Sequence, residues 1–410
     1  MTVNRVRRIA ITAGPLVSQI VSSLGNFAVV LLCARFLDPS AFGRFSLAYS
    51  AILFLSQVLR SAVGESAMIS GNRVQKSDDH VARTMMSGGI VACVLFGVAG
   101  SVVAMAMGLS TPFAAAIGFC ALVVPMADIA RYVYIVIKPQ TAVVIDIWWA
   151  TGGVVAILAL RAIGELSETS MLVAWGGSAA LASLRPVLRQ APRHFVSSLR
   201  SSLAHEGAFR LVFDMALLTG SSLALLGVLA ARGGSAEVGV FRSAAIPFTW
   251  IQIAHGGGYL TVARRRNSAT WVNRRTLGIV LLAGGVACAG TGLFLRLLPR
   301  SWGEAVFGRG WDGVSTLAVV VAFQYASFVL AETLMGAMKI RMGPTQVVRI
   351  RMVFAATLLA QTPVIAAFAT ARSTVLCLTA ANSVIAALAT ISLRNWSSSA
   401  VDQRPKVRPK

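Results

Sequence analysis

The longest stretch without charge runs from Met85 to Ala127, 43 residues with no Asp, Glu, Lys or Arg. As one helix it would be about 65 Å long, roughly twice the about 30 Å hydrocarbon core of a bilayer. The turn-forming sequence "GLSTP" at residues 108–112 divides the stretch near its middle. It therefore predicts two membrane-spanning helices joined by a tight turn.

Apolar stretches of this kind recur along the whole chain. Of 410 residues, 56% are hydrophobic and 13% are charged, a composition that excludes an ordinary soluble domain. We predict an all-α integral membrane protein with about twelve transmembrane helices, called spans one to twelve. They lie near 9–34, 45–69, 84–108, 112–137, 139–160, 168–188, 211–231, 241–263, 276–298, 313–338, 345–370 and 372–393. Eleven is the alternative count, because span six is short and span two carries Arg60 and Glu65.

The distribution of Lys and Arg predicts the orientation, since both residues concentrate in cytoplasmic loops. With both termini in the cytoplasm, 27 of the 37 Lys and Arg residues face inside, among them Arg131 and Arg351. Nine face outside, among them Arg242, and one, Arg60, lies in a span. Insertion thus accounts for the net charge of +22 without a nucleic acid partner. These cations could in addition attract anionic phospholipid, an interaction that contributes about 1 kcal/mol per residue near the surface.

No pattern of catalytic or metal-binding residues emerges. The five cysteines all fall within spans without CxxC spacing and are expected to pack as small apolar residues. The four histidines are scattered, and no hydrolase, metalloprotease or nucleotide-binding motif occurs. We predict neither enzyme activity nor a metal or cofactor. The first apolar run, about 26 residues, is longer than a signal-peptide core and is expected to be retained as span one.

Two sequence breaks indicate an internal repeat. At an offset of 196 residues, Gly43 pairs with Gly239 and Phe45 with Phe241, and the break "ARFLDPSAFGRF" returns in fainter form as "ARGGSAEVGVFR". Asp38-Pro39 is expected to form an extracytoplasmic turn between the first two spans of a lobe. "PQTAVV" and "PTQVV" likewise open spans five and eleven. These matches predict two six-helix lobes in a parallel repeat, related by an axis along the membrane normal.

The repeat predicts four regions of the chain. Residues 1–188 form the amino-terminal lobe, 189–210 a cytoplasmic inter-lobe linker, 211–394 the carboxy-terminal lobe and 395–410 a basic cytoplasmic tail. The linker has Phe195, Leu199 and Leu203 at four-residue spacing, which favours an amphipathic helix on the inner membrane surface.

The pattern "GPLVSQIVSSLGNFAVVLLCARFLDPSAFGRFSLAYSAILFLSQVLR" resembles the opening of the polysaccharide (O-antigen type) flippases, a family of the multidrug/oligosaccharidyl-lipid/polysaccharide (MOP) exporter superfamily. "FGRGWDGVSTLAVVVAF" resembles the entry to that family's second lobe. The resemblance implies a transporter of the bacterial cytoplasmic membrane that moves a lipid-linked oligosaccharide outward by alternating access, for cell-surface polysaccharide biosynthesis. Other polysaccharide-assembly membrane proteins are then further partners.

Polar side chains inside spans are costly and indicate candidate binding residues. Span one carries Gln19 and Asn26 on one helical face, and span two carries Tyr49, Gln57 and Arg60. An arginine at a helix centre costs about 2.5–3.5 kcal/mol on insertion scales. We expect Arg60 to bind the diphosphate of a polyprenyl carrier through paired hydrogen bonds. The alternative is an ion pair with a carboxylate, and for the neutral polar residues it is helix packing. The carboxylates considered for that pair are Glu65, Asp128, Asp146 and Glu332.

The other candidates have two interpretations each. Gln252 and His255 on span eight could bind sugar hydroxyls or pack between helices. Arg131 and Lys138 could form an inner vestibule for an anionic head group, or Arg131 could pair with Asp128 three residues earlier. The carboxylates Glu332, Asp128 and Asp146 are candidates for coupling or gating.

Two other functions remain open. A cation-coupled drug antiporter of the same superfamily requires carboxylates in the lobe interiors, whereas the charged residue nearest mid-span is Arg60. A non-transport membrane subunit of a polysaccharide synthesis complex predicts longer outer loops and no two-lobe repeat.

Overall fold

The computed structural model describes residues 2–65, 78–189, 208–255, 274–342 and 344–402, and every regular element in these ranges is a helix. Within these ranges, eleven helical stretches are long and apolar enough to cross a membrane. The stretch Val212–His255 has 44 residues and would be about 66 Å long if straight. Gly234, at φ 83° and ψ 166°, breaks this helix, so the stretch supplies two crossings. The predicted all-α membrane fold with twelve crossings is confirmed.

The first six spans follow the predicted order. They are Thr2–Phe36, Pro39–Leu59 with a π-helical continuation Arg60–Glu65, Asp78–Ala106, Thr111–Ile137, Pro139–Ile163 and Glu168–Arg189. Proline at the first or second position begins spans two, four and five, where its missing N–H costs no hydrogen bond. Gly164 ends span five in the left-handed conformation at φ 79°.

The second half is built from more interrupted helices. Span seven covers 208–233 and span eight 235–255, with π-helical Ala216–Gly220 and 3₁₀-helical Ile246–Phe248 within them. Span nine is Arg274–Leu297, span ten Trp311–Met342, span eleven 344–368 and span twelve Ala371–Asp402. A surface helix, Arg300–Phe307, precedes span ten. On it, the hydrogen bond to Glu304 and the nearby Asp312 raise the pKa of Arg300.

Each half packs as a six-helix lobe. In the first, span five lies against spans one and six, and span four against spans three and six. In the second, span ten lies against spans nine and twelve, and span eleven against span twelve. Trp175 and Phe248 are fully buried within their lobes, whereas Leu95 and Leu282 are exposed on outer helices that would face lipid. The apolar exterior is the reverse of a soluble bundle, as a bilayer solvent requires.

Three arginines assigned to loops lie elsewhere. Arg131 and Arg351 are buried inside the lobes rather than in cytoplasmic loops. Span eight begins at 235 instead of 241, so Arg242 lies seven residues inside the helix rather than in the loop before it. Hydropathy could not separate these residues from loop residues, because their burial depends on neighbouring helices. Residues 190–207 and 403–410, which cover most of the predicted linker and half of the tail, lie outside the described residues.

The turn between spans one and two is stabilised by a helix cap. The Asp38 carboxylate accepts hydrogen bonds from the backbone N–H groups of Ser40 at 2.9 Å and Ala41 at 3.0 Å. We expect Asp38→Ala to lower the free energy of unfolding by about 1 kcal/mol, since both N–H groups lose their acceptor. Denaturant titration of the purified protein in detergent measures this. Glu165→Ala, in another outer loop, is the control, and equal stability of the two variants would contradict the prediction.

Candidate functional site

A group of charged and polar side chains meets inside the first lobe, and we call it the amino-terminal ion cluster: Ser18, Gln19, Asp128, Arg131 and Asp146. The Arg131 guanidinium donates to Asp146 and Asp128, each at 3.1 Å, and to Gln19 at 2.7 Å. The Ser18 hydroxyl also donates to Asp146. Spans one, four and five are therefore joined at one buried point.

Arg131 is held by its own lobe. Its side chain is 4% exposed, and each of its three guanidinium nitrogens donates a hydrogen bond within the cluster. A buried charge is stable only when it is paired and hydrogen-bonded in this way. The pair with Asp128, three residues earlier, is the one that helical spacing predicted. Lys138 is instead exposed at the junction of spans four and five.

A second group, the carboxy-terminal ion cluster, consists of Asp214, Glu332 and Arg351. The Arg351 guanidinium pairs with both carboxylate oxygens of Glu332, at 2.7 and 2.8 Å, and lies 3.4 Å from Asp214. The Arg351 side chain is 5% exposed. Spans seven, ten and eleven are thereby joined, and the proposed coupling residue Glu332 is an ion-pair partner.

The two clusters occupy equivalent positions in the repeat. The offset of 196 residues maps Ser18 onto Asp214, and aligning Pro139 with Pro344 maps Asp146 onto Arg351. Both mapped residues of the second pair lie seven residues, about 10 Å, into their helices. The charge at this position is reversed between the lobes, because span five contributes the acid Asp146 and span eleven the base Arg351. Asp214 and Arg351 were not predicted as site residues, although the repeat alignment contained the signal.

Arg60 and Gln57 lie where span two meets the other lobe. The Arg60 guanidinium carbon is 5.3 Å from the centre of the Tyr132 ring, whose other neighbour, Arg131, is at 5.7 Å. The helical turn that begins at Arg60 packs against Ala208–Met215 of the second lobe. Gln57 accepts a hydrogen bond from Thr219 of that lobe at 2.9 Å. The half-buried Arg60 therefore adjoins both the amino-terminal ion cluster and the lobe boundary.

Tyr49 and Asn26 belong to an aromatic layer in the first lobe. The Tyr49 ring is centred 4.6 Å from that of Trp175, which is in turn 6.2 Å from Trp149. The Trp175 indole N–H donates to the Asn26 side chain at 3.2 Å. The polar face of span one is thus divided, with Gln19 in the ion cluster and Asn26 bound to Trp175.

The span eight candidates belong to the second lobe. Gln252 is exposed, and His255 is half-buried with its Nε2 3.0 Å from the Thr333 hydroxyl of span ten. The contact of His255 joins two helices of one lobe. Sequence alone had left packing and sugar binding open for this residue.

An apolar cavity of about 610 Å³ lies between span one of the first lobe and the second lobe. Its second-lobe walls come from spans eight and nine and the surface helix. The largest lining side chains are Phe27, Trp250, Phe294, Trp302 and Phe307. No charged residue is among its described lining residues. The cavity can accommodate an apolar chain but offers a charged group no partner.

The fold is known from solved structures, although the sequence alone finds no match. No protein-family model matches the sequence, and no curated protein matches it. Among solved structures, an inward-facing multidrug resistance MATE family transporter of the MOP superfamily aligns with TM-score 0.73 and 13% identity, covering 94% of this chain and 96% of that one.

Two further structures match over most of their length. A MATE protein in complex with MaD5 aligns with TM-score 0.65 and 13% identity, covering 95% of each chain. A MOP superfamily transporter from Pyrococcus furiosus, described as having a binding pocket of reverse polarity, aligns with TM-score 0.60 and 11% identity, again over 95% of each chain. The chain therefore has the two-lobe, twelve-helix fold of these MATE-type transporters.

Proposed function

We propose that this protein is a flippase of the bacterial cytoplasmic membrane. It moves a lipid-linked oligosaccharide, carried on a polyprenyl diphosphate, from the inner to the outer leaflet for cell-surface polysaccharide biosynthesis. The two lobes alternate between inward and outward access. The fold supports the transport part of this proposal, and Arg60 at the lobe boundary supports the anionic substrate.

The ion pairs of the intramembrane carboxylates are the observation on which the proposal depends. Among the described side chains, four carboxylates lie inside spans away from the helix ends. Each lies within ion-pair distance of an arginine of its own lobe: Asp128 and Asp146 of Arg131, Asp214 and Glu332 of Arg351. A cationic drug needs a carboxylate that can exchange its partner. Here each such exchange would break a buried ion pair by removing one of the two carboxylates that face Arg131 or Arg351.

A cation at the lobe boundary favours an anionic substrate. Arg60 is half-buried beside Tyr132 and next to the second lobe. A guanidinium presents a planar set of donors that matches phosphate oxygens in pairs. In this proposal, Arg60 binds the diphosphate as it passes between the lobes, while Arg131 fixes the adjacent helices. Gln57, Gln252 and His255 are the proposed sugar-facing residues, and Lys138 attracts the head group or anionic phospholipid at the cytoplasmic surface.

The apolar cavity suits the lipid part of the substrate. Its aromatic lining and its position between span one and the second lobe allow a polyprenyl chain to remain in an apolar environment while the glycan passes between the lobes.

A cation-coupled multidrug antiporter is the second candidate. It is favoured by the fold shared with a multidrug resistance MATE transporter, at TM-score 0.73. It is opposed by the arginine partner that each of these carboxylates has within its own lobe. Loss of a flippase would change the pool of lipid-linked glycans, whereas loss of a drug antiporter would leave that pool unchanged.

The test measures lipid-linked glycans in the source bacterium lacking this protein, rescued at matched expression with wild type, Arg60→Ala or Arg60→Lys. We expect intermediates to accumulate on the inner leaflet without the protein and to be cleared by wild type. Arg60→Ala should lower clearance at least about tenfold, because losing one charge-assisted pair of hydrogen bonds costs about 1.5–3 kcal/mol. Arg60→Lys should be intermediate, since an ammonium cannot make the paired contact.

Arg372→Ala is the matched control, because Arg372 is exposed at the outer start of span twelve. It should clear the intermediates like wild type. Normal clearance by both Arg60 variants would contradict the role of Arg60. An unchanged lipid pool in the deletion strain, together with increased sensitivity to cationic drugs, would favour the antiporter.

A further inference from the structure

The two lobes meet on residues that the internal repeat makes equivalent. Spans two and eight cross where Gly43 faces Gly239, and these residues correspond at the offset of 196. A Cβ on Gly43 would overlap the carbonyl oxygen of Ser235, and a Cβ on Gly239 would overlap that of Pro39. Pro39 and Ser235 are themselves equivalent at the same offset. The contact is therefore reciprocal, and the axis relating the lobes passes between the two glycines.

A hydrogen-bonded chain crosses the lobe boundary beside these glycines. The hydroxyls of Ser40 and Ser235 lie 2.6 Å apart. Ser40 also accepts from Arg44 at 3.1 Å, and Arg44 pairs with Glu168 of span six at 2.8 Å. The chain thus runs from span six through span two to the first turn of span eight. It orients Ser40 toward the other lobe.

The lobes touch at another point on the same face. Gly308, at φ 57°, lies so close to the carbonyl oxygen of Arg35 that a Cβ there would overlap it. Gly308 follows the surface helix, and Arg35 is in the last turn of span one. These two contacts hold the ends of spans one and two against the second lobe. By the predicted orientation, both lie on the extracytoplasmic face.

We infer that the crossing of Gly43 and Gly239, with the Ser40–Ser235 hydrogen bond, is the extracytoplasmic gate, and we call it the axial latch. Two close-packed glycines and one hydrogen bond join the lobes at this point without any interlobe ion pair within the latch. Small backbone contacts of this kind separate without leaving a charge buried and unpaired. This inference depends on the alternating access of the proposed function but not on the substrate.

The first test needs no substrate. Spin labels at Glu165→Cys and Arg372→Cys, both exposed on the outer face of different lobes, report their separation by pulsed electron resonance in lipid nanodiscs. The five native cysteines are buried, which disfavours their labelling. We expect Gly43→Leu and Gly239→Leu to shift the distribution to longer distances. Gly227→Leu is the control, because a side chain there meets open space, and it should match the parent. Parent-like distances in both latch variants would overturn the inference.

The second test uses no leucine variant, so it remains possible if Gly43→Leu and Gly239→Leu fail to fold. The hydroxyl spacing of Ser40 and Ser235 suits a disulfide in Ser40→Cys/Ser235→Cys. Oxidation should reduce clearance of lipid-linked glycans to the level of the deletion strain, and reductant should restore it. The control pair Ser167→Cys/Ser170→Cys, whose hydroxyls lie 3.1 Å apart within one lobe, should crosslink without arrest. Full clearance by the crosslinked latch would overturn the inference. A deletion that leaves the glycans unchanged would instead contradict the proposed substrate, and the distance measurement would still decide the latch.

Discussion

Arg351→Ala is expected to lower the free energy of unfolding by about 3–5 kcal/mol, which we predict to be among the largest effects of any single change in the second lobe. The substitution removes the guanidinium that pairs with both oxygens of Glu332 and lies beside Asp214. Two carboxylates would then remain in a low-dielectric interior without the guanidinium that faces them in the wild type. Denaturant titration in detergent, followed by tryptophan fluorescence, measures the loss.

Two variants make this measurement decisive. Arg349→Ala removes an exposed arginine two residues away on the same span and should change stability by less than about 0.5 kcal/mol. The triple variant Asp214→Asn/Glu332→Gln/Arg351→Met keeps the shapes while removing all three charges, and should regain much of the lost stability. If Arg351→Ala is no less stable than Arg349→Ala, the carboxy-terminal ion cluster does not stabilise the lobe.

Trp175→Ala should have a comparable effect in the first lobe. Trp175 is fully buried, lies against Tyr49 and Trp149, and donates its indole N–H to Asn26. Truncation leaves a large cavity and an unpaired acceptor, which together cost about 3–5 kcal/mol. The same titration measures the change.

Trp148→Ala is the matched control for this prediction. Trp148 neighbours Trp149 on span five but is 67% exposed on the lobe surface, where lipid would surround it. Its removal in detergent should cost less than about 1 kcal/mol, since no packed neighbour loses its support. If the two variants lost equal free energy of unfolding, the aromatic layer around Trp175 would add no stability beyond that of a lipid-exposed tryptophan.

Much of the fold follows from local sequence. A charge-free stretch such as Met85–Ala127 can satisfy its backbone in a bilayer only as helices, so the crossings could be counted from composition. The turns were equally local, since Asp38 caps span two and Gly234 breaks the helix between spans seven and eight. Arg242 was misplaced because the start of span eight depends on packing against span two, which hydropathy does not measure.

The candidate site was only partly predictable. Gln19, Asp128, Arg131 and Asp146 were chosen separately for their cost in a membrane, and the structure joins them in one cluster. Helical spacing suggested the pair of Asp128 with Arg131, because three residues is a local distance. Arg351 was assigned to a loop, because no local pattern distinguishes a loop arginine from one whose partner lies on another helix.

The sequence by itself determined the crossings, their predicted orientation and the repeat, because these depend on composition and on matches along one chain. Only the tertiary structure decided that Gly43 and Gly239 face each other on the axis of that repeat. It alone decided also that Asp146 and Arg351, at equivalent positions of the repeat, are both buried and paired within their own lobes. The physical reason is that a buried charge or a missing Cβ acquires its role from the atoms of another helix, and those neighbours exist only after the lobes have packed.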